Sequence, residues 1–198
     1  MIVGLISTAF KPLKSQNHQW FYVDENEELL YQFPSEKPSD YTTLSLPFTG
    51  KFFIGFKEAI AYKESQGKYD LVNSLGYMGK YQFGTSALRT IGINNNAVFL
   101  NNPKLQEKAF VALLKINKWK LRNVIKEYRG KIIDGVRVTE SGILAAAHLG
   151  GAGSVRKYLE SNGERKCKDS YGTTIKSYMK QFGGYETHNI IPDCNAKV

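Results

Sequence analysis

Apolar positions along this chain fall into a helical spacing at residue 52. Phe52, Phe53, Phe56, Ala59 and Ile60 recur at helical intervals and Lys63 takes the next place on that face, which predicts a first helix carrying Glu64 in its C-terminal turn. Residues 67–84 are rich in Gly and Tyr without a helical period, the pattern of an irregular loop or small hairpin. A short helix is expected at 85–91, capped by Thr85 or Ser86. Asn102-Pro103 is a cap followed by proline at the first helical position, and Leu105, Ala109, Ala112, Leu113, Ile116 and Trp119 continue from it as a long central helix. Residues 115–131 hold seven basic side chains against Glu127 alone, predicting a cationic ridge. Val138-Thr139 leads into an Ala-rich helix at 140–149, which Gly150, Gly151 and Gly153 are expected to break. Shorter helices follow at 154–161, closed by Asn162-Gly163, and at 173–182, closed by Gly183-Gly184. The pattern is mostly α, with no internal repeat.

Residues 1–50 differ. They lack a sustained period and contain Trp20-Phe21-Tyr22, an acidic patch at 24–28 and prolines at 34, 38 and 47, so an N-terminal arm or linker is expected there. Ile2 to Phe10 resembles the back half of a secretory apolar region without a basic start, an export-signal remnant that would send the chain to the periplasm or outside the cell. The expected division is an arm at 1–50, a domain at 51–186 and a tail at 187–198. No segment approaches the ~20 apolar residues of a membrane helix.

The net charge of +9 sharpens this division, because residues 1–50 hold three lysines and six acids, leaving 24 basic and 12 acidic residues in 51–198. A cationic domain suits a nucleic acid, an anionic membrane surface or an acidic cell-wall polymer, and equally a solvated surface. No nucleic-acid motif accompanies the charge, and no nucleic-acid partner is expected. Cys167 and Cys194 are too few and too far apart for a zinc framework. They read either as one disulfide or as two thiols.

Glu64 is the candidate for chemistry. A carboxyl group where a helix gives way to a loop is partly desolvated while still facing a cleft, an environment that favours a general acid. Three separated segments follow one another along the chain: Glu64-Ser65; Gly79-Lys80-Tyr81-Gln82-Phe83; and Leu144-Ala145-Ala146-Ala147-His148-Leu149-Gly150-Gly151-Ala152-Gly153-Ser154-Val155. With them the chain resembles the lysozyme-like superfamily, most closely the catalytic domain of soluble lytic transglycosylases and goose-type lysozymes, over residues 52–184.

The resemblance implies a mostly α, lysozyme-like α+β domain with a small irregular or hairpin segment beside a glycan cleft. It implies a peptidoglycan-cleaving glycosidase acting on the MurNAc-GlcNAc strand, with Glu64 as the catalytic acid and no metal or organic cofactor. Ser65 matches the family's Glu-Ser pair, Gln82 its cleft-lining glutamine, and Tyr178 falls where the family often places a cleft tyrosine. The third segment departs from the family, since His148-Leu149 stands where Tyr-Asn is usual. A divergent branch is implied, and a non-catalytic glycan-binding module is the alternative that this departure motivates.

Other candidates follow from the residues themselves. If 79–83 is extended, alternation puts Lys80 and Gln82 on the cleft face and Phe83 inward, with Tyr69, Tyr77 and Tyr81 available to stack on sugar rings. Asn73 and Ser74 offer polar contacts from the loop. His148 is either a substrate ligand, a partner for Glu64 or a satisfied helix-end histidine. A two-carboxylate glycosidase needs a second acid within ~5–10 Å of the first. Asp70 is the nearest in sequence, although it also reads as an Asx-turn residue, and Glu140 reads as a helix-dipole partner. In lytic transglycosylases one glutamate acts as acid and then base while the muramic acid's own 6-hydroxyl attacks, and the missing second acid fits that scheme. A hydrolytic muramidase or chitinase remains the enzymatic alternative. The enzyme is expected to act as a monomer.

Overall fold

The computed structural model describes residues 51–168 and 172–198. The chain divides into two units, Met1–Ser45 and Leu46–Val198. The expected arm and export segment lie outside the described residues.

The described part is mostly helical. Its first helix, α1 (Phe53–Ser65), buries Phe56, Ile60 and Ala61 and ends at Gln66, whose φ of 57° turns the chain left-handed. Residues 66–84 form a miniature hairpin held by isolated antiparallel bridges, Val72 to Met78 and Met78 to Phe83. Asn73 Oδ1 accepts the amides of Leu75 and Tyr77, fixing the turn of that hairpin. The next helix, α2 (Thr85–Thr90), starts on Gly84 with no side-chain cap, so Thr85 and Ser86 lie within the first turn instead of capping it. A helix absent from the sequence reading, α3 (Asn96–Leu100), is capped by Asn95.

The long central helix starts as expected. Asn102 accepts the Leu105 amide and Pro103 opens α4 (Pro103–Lys120). It buries Ala109, Phe110, Ala112, Leu114 and Ile116, while Trp119 turns outward at 37 % exposure. Leu121 then separates it from α5 (Arg122–Tyr128). That break divides the expected cationic ridge, and Lys118 leaves it altogether: its ammonium is buried against Glu140 at 2.7 Å and donates to the Thr187 carbonyl at 2.9 Å.

Strands β1 (Ile132–Ile133) and β2 (Val136–Arg137) pair antiparallel across Asp134-Gly135. Both turn residues have positive φ, 48° and 73°, which a two-residue hairpin with the Asp-Gly signature favours. Thr139 then caps α6 (Glu140–Glu160), whose first half, 141–147, is buried throughout. The run breaks among the glycines, as expected. Gly151 takes φ 77° and ψ 158°, a kink after which helical structure resumes to Glu160. A capping box at Thr174 and Ser177 opens α7 (Ile175–Gln181). A Cβ at Gly142 would stand 2.7 Å from the Met179 carbonyl, so the missing side chain lets α6 and α7 approach closely.

The expected tail belongs to the domain. Thr187, Ile190 and Ala196 are buried, and the amides of Asp193 and Val198 reach the carbonyls of Lys115 and Ile91. Cys167 and Cys194 are free thiols. Among the described residues no helix is long and apolar enough to cross a membrane.

Candidate functional site

Ser65 ends α1 with a buried hydroxyl that donates to the Lys80 carbonyl at 2.7 Å. The bond joins the helix end that carries Glu64 to the 79–83 strip. From the opposite side of the sequence, the Tyr178 hydroxyl on α7 donates to Glu64 Oε1 at 2.6 Å. His148 on α6 completes the circuit, with Nε2 lying 2.8 Å from the Tyr81 carbonyl. A carbonyl only accepts, so Nε2 carries the hydrogen. The imidazole sits edge-on to Phe110 and Phe83, with centroids 5.3 and 5.7 Å away, and its buried Nδ1 has no partner. His148 therefore supports the strip and does not pair with Glu64.

The strip is not extended. Gly79 has φ 77° and Gln82 φ 48°, and these left-handed residues wind it into turns that undo the expected alternation. Lys80 is only 5 % exposed and Tyr81 is fully buried, so neither is placed to contact a substrate. Tyr81 stacks on Phe110 at 4.0 Å and donates to Glu107 Oε2 at 2.9 Å. Gln82 is half-buried; its amide nitrogen donates to the carbonyls of Gly79 and Leu71, leaving Oε1 to accept from a ligand. Asn73 serves its own turn through Oδ1, and Asp70 is exposed, with no hydrogen bond to Glu64. Tyr77 is exposed on the hairpin, as is Tyr62 on α1.

Behind the strip lies a polar cluster that the sequence reading missed. The Lys80 ammonium contacts Glu58 Oε1 at 2.7 Å and Glu107 Oε1 at 2.9 Å, and Glu107 also pairs with Lys57 and accepts the Tyr69 hydroxyl at 2.8 Å. Burial pushes the Glu107 carboxyl up, but hydrogen bonds from Lys57, Lys80, Tyr69 and Tyr81 outweigh it and hold the group at about 2. Burial likewise pulls the Lys80 ammonium down, while bonds to Glu58, Glu107 and Tyr69 outweigh it and raise it above the usual lysine range. Both groups stay charged at neutral pH.

Gln106 is the second hidden anchor. It is fully buried; its Oε1 accepts the Lys80 amide at 2.8 Å and its Nε2 donates to the carbonyls of Tyr69, Phe99 and Leu100. The available signal was a polar Gln106-Glu107 pair between Leu105 and Ala109 on the apolar side of α4. A Cβ at Gly79 would stand 2.3 Å from Gln106 Oε1 on a backbone already at positive φ. Gly79→Ala is therefore expected to lower stability by about 2–4 kcal/mol, read as the urea midpoint. An unchanged midpoint would show that the strip does not rest on Gln106.

Among the described residues no group of three His, Cys, Asp or Glu side chains could hold a metal ion. No family model matches this chain, and neither a curated protein nor a solved structure matches it.

Proposed function

We propose that this chain is a lysozyme-like, peptidoglycan-cleaving glycosidase that cuts the MurNAc-GlcNAc strand by the lytic transglycosylase route, with Glu64 as its single acid and base. The observation that carries this reading is the hydrogen-bonded circuit through Glu64-Ser65, the 79–83 strip, His148 and Tyr178. Segments matched only by their order in the sequence meet within bonding distance, although Glu64 and Tyr178 are 114 residues apart.

The chemistry follows from the carboxyl group's two oxygens. Tyr178 donates to Oε1, which leaves Oε2 as the oxygen to pass a proton to the glycosidic oxygen as the bond to the sugar weakens. The resulting carboxylate then takes the proton of the attacking 6-hydroxyl. Gln82 Oε1 is available to orient a sugar hydroxyl. A wall substrate implies an exported protein.

Mass spectrometry of muropeptides released from purified sacculi tests the reading. Products with 1,6-anhydro ends are expected. Reducing ends would replace the route with hydrolysis by a muramidase, activity on chitin alone would make the chain a chitinase, and binding without release would leave a glycan-binding module.

A further inference from the structure

A cavity of about 290 Å³ that Glu64 does not line opens under the Asp134-Gly135 turn. Its frame is tightly built. A Cβ at Gly163 would lie 2.6 Å from Asp134 Cβ, so the turn presses directly on the end of α6. Lys168 bridges Thr174, and the Ile175 amide reaches the Cys167 carbonyl at 3.2 Å, closing the opposite wall.

The lining is cationic and has an unused donor. Lys176 pairs with Asp134 at 2.9 Å, which neutralises the one carboxylate among the described residues of the lining. Lys166 and Lys168 also line it, and neither forms an ion pair among the described residues. Three lysines against one aspartate leave two positive charges. Tyr158 lines the same space at 2 % exposure, with a hydroxyl that has no hydrogen-bond partner. Leaving such a group unsatisfied costs about 1–3 kcal/mol, which a bound acceptor oxygen would recover. Burial, followed by the Asp134 charge, pushes this phenol up to about 12, so it remains a donor at any physiological pH. Thr174 Oγ1 accepts the Ser177 amide and keeps its own hydrogen to donate.

We infer that this cavity binds a phosphate group, either as inorganic phosphate or as a phosphomonoester. Lysine ammoniums act as point charges well suited to phosphate. A phosphomonoester carries a charge of about −1.5 to −2 near neutral pH, which balances the surplus of the lining. The buried phenol and the Thr174 hydroxyl are neutral donors for its oxygens.

Cys167 lines the cavity and is a free thiol, whereas Cys194 is an exposed thiol that lines no part of it. The two provide a reporter and an internal reference. The full chain is alkylated with iodoacetamide, and each site is read by mass spectrometry, in sodium phosphate and in sodium chloride of equal ionic strength. At ten times its dissociation constant phosphate leaves about a tenth of the sites open, so alkylation of Cys167 is expected to slow roughly tenfold while that of Cys194 does not change. Phosphate should also raise the melting temperature. Tyr158→Phe, which removes only the unpartnered hydroxyl, and Lys168→Ala at the surface should each fold and lose most of the protection. Equal protection by glycerol 3-phosphate would assign a phosphomonoester, and protection by inorganic phosphate alone the free ion. An unchanged Cys167 rate in phosphate, equal slowing in chloride, or full protection in both variants would overturn the inference.

Discussion

Replacing Glu64 with Gln is expected to reduce glycan cleavage by about three orders of magnitude and to leave the urea midpoint of the protein unchanged. The two outcomes separate chemistry from architecture. Glu64 Oε1 accepts one hydrogen bond, from Tyr178, and the amide oxygen of Gln accepts the same bond with the same reach. The end of α1 is held by Ser65 on the Lys80 carbonyl and by the left-handed turn at Gln66, neither of which involves the Glu64 carboxyl. What Gln cannot do is supply a proton at Oε2 or take one back. Dye release from labelled sacculi measures the first outcome, urea titration measures the second, and co-sedimentation with sacculi shows that the substrate still binds. Wild-type release by Glu64→Gln would remove Glu64 from the mechanism and, with it, the reason for reading the circuit as catalytic.

The parts of this fold legible in the sequence are those specified by neighbouring residues. Asn102-Pro103 starts α4 because cap and proline act within one turn, and the Phe56, Ile60 spacing carries α1 to Glu64. Asp134-Gly135 between short apolar runs is an equally local signal for the hairpin. The glycines after Leu149 are another local signal: they predict a break, and Gly151 makes it, its non-helical φ and ψ separating two helices.

The illegible parts are fixed by distant partners. Gln106, Glu107 and Lys118 look like surface positions in a helical pattern, but their partners at Lys80, Glu140 and Thr187 lie tens of residues away and turn them inward. Lys80 and Gln82 belong on the cleft face only by an alternation that holds for extended backbone. The positive φ at Gly79 and Gln82 removes that condition. Of the residues singled out by the resemblance to lytic transglycosylases, Tyr178 bonds Glu64 and Ser65 bonds the strip, whereas the cluster supporting the strip has no local signal.

That cluster sets the second large effect. Glu107→Ala is expected to lower the unfolding free energy by about 3 kcal/mol, because it leaves the largely buried Lys80 ammonium with Glu58 as its one carboxylate and two phenols without their acceptor. Urea denaturation at neutral pH measures the loss, and a wild-type midpoint would show that the network carries little of the stability. The acid limb is an independent check. Glu107 is held at about 2 in the folded protein, below the ~4.3 of an unfolded glutamate. A depressed carboxyl contributes stability that is fully present above the unfolded value and lost as pH falls through the folded one. The wild type should therefore weaken between about pH 5 and pH 2, by ~1–2 kcal/mol once the water at the cluster's rim is allowed for. Glu107→Gln should be less stable than wild type at neutral pH and show a flatter acid limb. If the strip loosens with the cluster, Ser65 loses its fixed acceptor at Lys80, and glycan cleavage by Glu107→Gln should fall although Glu64 is untouched.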